Sequence, residues 1–269
     1  MCKFVSLVVT RSGKVYGDGS FDSHADLIKQ NIKDNPELEE KHNREFSENE
    51  NLKNQSFALV EITPKDGDIF NHKTNNWKLN IDQSIAPGWW SDKYEKLCFK
   101  RLKEIFKTQF IIGGEIEELD KDVRFIKNAT IKILRGEVGY MYGSSKVGYM
   151  YGSSKVGSMS DSSEVGYMHG SSKVGSMYGS SKVGSMYGSS EVGSMSDSSE
   201  VGYMYGSSKV GSMYGSSEVG YMYGSSEVGE AKDDTTINVW SKDAIVQKQI
   251  GGRTVVIKRY LKNIKVVIK

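Results

Sequence analysis

Valine and methionine recur every nine residues between Val138 and Glu227, and everything between them is small, polar or aromatic. Met141, Met150, Met159, Met168, Met177, Met186, Met195, Met204, Met213 and Met222 mark the period. The unit is V-G-[YS]-M-[YSH]-[GD]-S-S-[KE], repeated ten times without an insertion. A gap-free repeat signals stacked units, each burying its face against the next. Val, the first Gly, Met and both Ser are the same in every copy. Four slots vary, exchanging Tyr for Ser or His, Gly for Asp, and Lys for Glu. Fixed apolar positions are what a core demands, and exchange of unlike residues is what exposure permits. The competing reading is a disordered Gly/Ser linker. Such a linker needs neither Val and Met at fixed places nor a constant unit length.

A period of nine does not fit a whole number of 3.6-residue turns, so a Val/Met stripe would wander around a helix. Two glycines per unit would also cost a helix about 1 kcal/mol each. Val, Tyr and Met beside G-S-S or D-S-S bends suit short strands. Each nonapeptide is therefore read as half of a coil of about 18 residues, the coils stacking at about 4.8 Å. Val138 and Met141 have opposite strand parity, so a flat strand cannot bury both. A bend at Gly139 resolves the conflict, giving a roughly four-sided coil with Val, Met and the second Ser inside. The first Ser of each pair is expected to hydrogen-bond the turn backbone.

The flanks carry other patterns. Upstream, Ile131, Leu134 and Gly136 fall where the unit has Val, Met and Gly. Downstream, the chain from Ile237 reads as three or four β segments broken at Gly251-Gly252 and Asn263, an irregular cap. The first 127 residues are mixed. Phe4–Thr10 and Val15–Tyr16 suit a hairpin, and Phe57–Thr63 and Trp77–Ile81 suit strands. Ser23 and Ser91 can cap helices running to about Lys33 and Phe110. The second helix has an apolar side of Tyr94, Leu97, Cys98, Leu102, Ile105 and Phe106. Residues 36–54 are strongly polar. The expected architecture is an α+β leader domain (1–127), an all-β parallel β-solenoid (128–228) with two nonapeptides per coil, and an irregular β cap (229–269).

Three leader segments and the repeats together resemble a known group. Tandem units of the N-A-T-V-Q-x-M-x-G type occur in proteins of phages and gut bacteria, and Asn128-Ala-Thr-Ile-Lys-Ile-Leu-Arg-Gly136 is similar to them. Met1-Cys-Lys-Phe-Val-Ser-Leu7, Ser23-His24-Ala-Asp-Leu-Ile28 and Ala86-Pro-Gly-Trp-Trp90 resemble the leader domain that precedes such units. This chain departs from the group in using Ser-Ser where related units often show Asn-Ala. The resemblance implies an origin, in a phage or a bacterial host cell, rather than a mechanism.

Composition narrows the function classes. Charge is nearly balanced, with 36 Lys+Arg against 34 Asp+Glu. That argues against general nucleic-acid binding; the basic stretch from Lys242 onward is the one place for an anionic partner. Lysines on a terminal strand also protect an exposed edge. Two cysteines exclude a disulfide scaffold. There is no apolar run of membrane-spanning length and no signal peptide, so the expected location is the cytoplasm. P-loop, nucleophile-elbow and dinucleotide-binding patterns are absent.

Candidate chemistry is sparse. After methionine removal Cys2 would carry a nucleophilic thiol beside its own amine, but Lys3 and Phe4 replace the small residues such nucleophiles usually precede. Asp18, Asp22 and His24 lie together in G-D-G-S-F-D-S-H, a pattern compatible with acid–base or metal chemistry and equally with a polar turn. The four histidines lack metal-ligand spacing, so neither metal nor cofactor is expected. The tyrosines in the exposed slots, chiefly Tyr140, Tyr142, Tyr149, Tyr151, Tyr178, Tyr187, Tyr205, Tyr214 and Tyr223, either brace the sheet or form an adaptable contact surface. The favoured expectation is a non-enzymatic scaffold that binds a macromolecule, most simply a protein. The alternatives are a hydrolase- or amidotransferase-like enzyme using Cys2 or the Asp18/Asp22/His24 cluster, and a passive spacer.

Overall fold

The computed structural model describes residues 5–17, 19, 23–32, 57–232, 234–249 and 256–259. The chain divides into two compact units, residues 1–109 and 110–269.

In the first unit β1 (Val5–Thr10), β2 (Val15–Tyr16), β3 (Phe57–Pro64) and β4 (Trp77–Ile81) form an antiparallel sheet in the order β2-β1-β3-β4. Every residue of β1 is buried, and α1 (His24–Ile32) and α2 (Asp92–Gln109) both pack against it. Ser23 caps α1, its hydroxyl accepting the Asp26 N–H at 3.3 Å. Leu27 of that helix meets Val8 and Phe57 in a buried cluster. Along α2 the buried residues are Tyr94, Cys98, Leu102, Ile105 and Phe106, the expected apolar side. The Tyr94 hydroxyl donates to the Arg11 carbonyl (2.8 Å) and Arg101 Nε to the Gly17 carbonyl (2.7 Å), tying α2 to the β1–β2 hairpin. Trp89 and Trp90 pack against the Tyr94 ring at 4.8 and 5.7 Å, a packing role rather than an exposed patch.

The second unit is a parallel β-solenoid. Successive short strands alternate between two nine-stranded sheets, so each strand pairs with the one two repeats away. Lys146, Val147, Tyr149 and Met150 lie opposite Glu164, Val165, Tyr167 and Met168. The stack begins at Phe110–Ile112 and Glu115–Leu119, earlier than the boundary expected at residue 128. Val123, Phe125 and Ile126 lie opposite Val138, Tyr140 and Met141, so these segments are coils, shorter than those of the repeats (Val123 to Val138, against Val138 to Val156) and with Arg124 and Lys132 in place of the strand glycine. Downstream, Glu227–Ala231, Thr236–Val239, Ile245–Gln249 and Val256–Arg259 continue the same two sheets.

Each coil has two sheets rather than four sides. One nonapeptide contributes one five-residue strand, such as Lys182–Met186, and one turn. Val, Met and the second Ser are buried throughout the repeats. Each buried Val or Met contributes about 1.5–3 kcal/mol before chain entropy is counted. The parity conflict is met without positive φ at the strand glycine, and glycine is not required for it: Val123 and Ile126 flank Arg124, and Ile131 and Leu134 flank Lys132, with all four apolar residues buried. A Cβ on Gly184 would lie 2.6 Å from the Gly166 carbonyl oxygen, and one on Gly202 2.6 Å from that of Gly184. The missing side chain points along the stack, at the preceding layer. Within the perfect repeats only hydrogen fits there.

The turn glycine serves a different purpose. Its slot takes positive φ, and the residues that replace glycine there, Asn128, Asp161 and Asp197, have φ of 53°, 56° and 56°. Asp and Asn are the side chains that tolerate this region. The Asp161 carboxylate also accepts the Gly143 N–H of the layer before it at 2.8 Å, and Asp197 accepts that of Gly179 at 2.9 Å. Conformation, and not exposure alone, explains the Gly/Asp exchange. The first Ser of the turn engages the preceding coil through its backbone, as in Ser180 N–H to the Asp161 carbonyl at 2.8 Å. It was the hydroxyl that was expected to bond. The second Ser hydroxyls from Ser154 to Ser226 have no partner among the described residues, so the corner selects for small volume.

Two glycine substitutions separate these roles. Gly184→Ala should lower the unfolding free energy by about 1–3 kcal/mol through overpacking. Gly152→Asn, at φ 65° with nothing within 4 Å of its Cβ, should cost less than about 1 kcal/mol because Asn tolerates the left-handed region. Urea titration followed by circular dichroism measures both, and equal losses would contradict the assignment.

Candidate functional site

Because coils stack at two-repeat intervals, the variable slots sort by sheet. On one sheet the outward strand position carries Tyr149, Tyr167, Ser185, Tyr203 and Tyr221. On the other it carries Tyr140, then Ser158, Ser176, Ser194 and Ser212. The two sheets share one core, yet the outward strand position is aromatic along most of one sheet, while on the other it turns to serine beyond an aromatic group of Phe110, Phe125, Tyr140 and Tyr142.

The aromatic face has two columns. Tyr149 stacks on Tyr167 and Tyr203 on Tyr221, each pair with ring centroids 5.0 Å apart. Beside them, at the strand ends, Tyr151, His169, Tyr187, Tyr205 and Tyr223 form an unbroken column with steps of 5.3, 4.9, 5.0 and 5.1 Å. The columns touch laterally, as between Tyr149 and Tyr151 at 5.9 Å. Trp240 closes one end against Tyr221 and Tyr223, and the Arg135 guanidinium lies over Tyr151 at the other. Tyr149, Tyr167 and Tyr203 remain about 40% exposed, so the columns are a surface and not a core. The Ser185 position interrupts the first column.

On the opposite side the turn slot alternates Tyr142, Ser160, Tyr178, Ser196, Tyr214, so these tyrosines lie two layers apart and have no neighbouring tyrosine in their own column. Of the residues singled out in the sequence, Tyr149, Tyr151, Tyr187, Tyr205 and Tyr223 belong to the aromatic face. Tyr140, Tyr142, Tyr178 and Tyr214 belong to the other. Tyr167, Tyr203, Tyr221, His169 and Trp240 complete the face and were not among the site residues singled out. Reading every second repeat would have found all but Trp240, which lies beyond the perfect units.

The Lys/Glu slot also resolves into columns. Lys146 meets Glu164 at 3.3 Å, Lys173 meets Glu191 at 2.7 Å, Lys182 meets Glu200 at 2.8 Å and Lys209 meets Glu227 at 3.1 Å. An order that looks irregular along the chain mostly pairs opposite charges between coils, with Lys155 opposite Lys173 and Glu200 opposite Glu218 as like pairs. The opposite-charge pairs are exposed and contribute little energy; like charges placed opposite would disfavour a wrong register.

Of the candidate catalytic groups, only His24 falls within the described residues. Cys2, Asp18 and Asp22 lie outside the described residues. His24 opens α1 with only 11% of its side chain exposed, Nδ1 3.2 Å from an Asp82 carboxylate oxygen and Nε2 3.0 Å from the Val60 carbonyl oxygen. Cys98 is buried, and burial pushes its thiol up to about 12, which removes it as a nucleophile. Among the described residues, no helix is long and apolar enough to cross a membrane. The class that fold and surface define is a two-sheeted parallel β-solenoid with one aromatic face behind an α+β unit. Compared with protein-family models, curated proteins and solved structures, the chain matches none.

Burial, with help from neighbouring Tyr140 and Asp161, pushes the Tyr142 phenol from 10.0 up to about 12. A group whose folded value is raised stabilises the fold fully below its unfolded value and loses that contribution as pH rises through the folded one. The solenoid should therefore lose thermal stability between about pH 10 and 12, and Tyr142→Ser should flatten that loss. A Ser185→Tyr substitution should complete the first column and raise the urea midpoint, by about 0.5–1 kcal/mol for each new aromatic neighbour. A drop instead would mean that Tyr167 and Tyr203 already close the space between them.

Proposed function

We propose that the chain is a non-enzymatic scaffold that docks a protein partner through the aromatic face of its solenoid. One observation carries this reading. Two sheets with the same buried Val, Met and Ser bear different outer faces. Aromatic columns that served only to brace a parallel sheet would be equally useful on both. Concentrating rings on one sheet creates a flat, partly apolar strip with phenol hydroxyls, the chemistry enriched at protein interfaces. The rings are already ordered against one another, so binding would freeze few additional rotamers.

The origin implied by the resemblance places the partner among the proteins of a bacterial cell, host or phage. Near-balanced overall charge favours a protein over a nucleic acid. The basic stretch expected to offer an anionic contact lies largely outside the described residues. The spacer alternative accounts for the repeat but not for the difference between its faces.

The opposite sheet supplies a built-in control, since it folds with Ser in the same slot. Tyr149, Tyr167, Tyr203 and Tyr221 changed together to Ser should leave the circular dichroism spectrum intact. The same change should weaken capture of the partner from a bacterial lysate at least tenfold, as loss of interface anchors worth about 1.4 kcal/mol or more requires. Undiminished capture by the quadruple variant would overturn the assignment of this face.

A further inference from the structure

Three side chains far apart in sequence converge at one edge of the first unit. His24 comes from the first turn of α1, Glu61 from the middle of β3, and Asp82 from the residue after β4. One ligand atom from each, an imidazole nitrogen and two carboxylate oxygens, lies within 4.8 Å of the others. We infer that these residues form a site for a divalent first-row transition ion, with Zn²⁺ the simplest occupant.

The orientation of His24 supports this. Its Nε2 lies 3.0 Å from the Val60 carbonyl oxygen. A carbonyl only accepts, so Nε2 carries the hydrogen and the neutral ring has its lone pair on Nδ1, facing the two carboxylates. A ligating histidine whose other nitrogen donates to a backbone carbonyl is the recurrent second-shell arrangement of metal sites. The contact also fixes the ring: Val60 precedes Glu61, so the strand that supplies one ligand orients the other.

The charge balance points the same way. Neither Glu61 nor Asp82 has a Lys or Arg partner among the described residues. A structural ion pair between His24 and Asp82 needs one carboxylate and leaves Glu61 unexplained. Two carboxylates this close repel each other unless a cation lies between them. Donor spacing is compatible with coordination. Ligands about 2.0–2.2 Å from a tetrahedral ion lie about 3.3–3.6 Å apart. Nδ1 and the Asp82 oxygen are already 3.2 Å apart, so only the flexible Glu61 side chain has to close in.

One nitrogen and two oxygens without a thiolate suit Zn²⁺, Mn²⁺ or Co²⁺ better than Cu⁺, and the imidazole disfavours Ca²⁺ and Mg²⁺. Three protein donors leave at least one position for water or an incoming oxygen ligand, the pattern of open rather than purely structural sites. Asp82 is about half exposed, which leaves an entry path. Histidine spacing along the chain gave no hint of this, because two of the donors are isolated carboxylates brought in by sheet pairing.

The test uses the full chain, titrated with ZnCl₂ by calorimetry in a non-chelating buffer near neutral pH, and with Co²⁺ by its visible d–d absorption. Wild type should bind one Zn²⁺ at micromolar or lower concentration, show a Co²⁺ band and gain thermal stability on adding Zn²⁺. Glu61→Gln and Asp82→Asn each alter an exposed or half-exposed position and should preserve the circular dichroism spectrum. Each should weaken binding at least tenfold and abolish the thermal shift, and His24→Gln should remove the Co²⁺ band. Zn²⁺ binding and thermal shift unchanged in the Glu61 and Asp82 variants would overturn the site. So would failure of wild type to bind Zn²⁺ up to millimolar concentration.

Discussion

Valine and methionine sit three positions apart on each repeat strand, and both must point inward. A regular strand forbids that, because positions of opposite parity face opposite sides. The residue in the slot after the valine takes up the change of face; it is glycine in the perfect repeats and Arg124 or Lys132 in earlier coils. In the perfect repeats the glycine's absent side chain would point along the stack at the carbonyl of the preceding layer, as between Gly184 and Gly166. Two inward residues then flank one axial position, with successive coils in hydrogen-bonding contact.

Core and surface run on different periods. The core repeats every nine residues, so a slip by one nonapeptide would leave Val on Val and Met on Met. The surface repeats on the coil, two nonapeptides long. Such a slip would place serines among the stacked rings and set like charges opposite each other. Rings and charges thus select the register to which the core is indifferent. The same sorting by sheet gives the solenoid two unlike faces, and the binding proposal rests on that difference.

The first unit works differently. Its sheet is antiparallel, and its chemistry-bearing residues are scattered along the chain. His24, Glu61 and Asp82 meet because β3 pairs with β4 and α1 packs over β1 beside them. The candidate cluster read from local sequence also contained His24, and its other members, Asp18 and Asp22, lie outside the described residues. Sheet pairing brings Glu61 and Asp82 beside His24 although all three are far apart along the chain.

By itself the sequence determined the stacked architecture, two nonapeptides per coil, the buried Val/Met/Ser set, and the helices and strands of the first unit to within a residue or two. These follow from local rules: periodicity, capping, and the small size demanded at corners. The start of the stack at Phe110 was hidden because the first coils keep the apolar spacing but lack the Gly-Ser-Ser turn. Only the tertiary structure decided which variable residues share a face, which charges pair, and which carboxylates stand beside His24. Those relations depend on contacts between layers and between strands. A chain read in order cannot display neighbours that lie a full coil, or half a domain, apart.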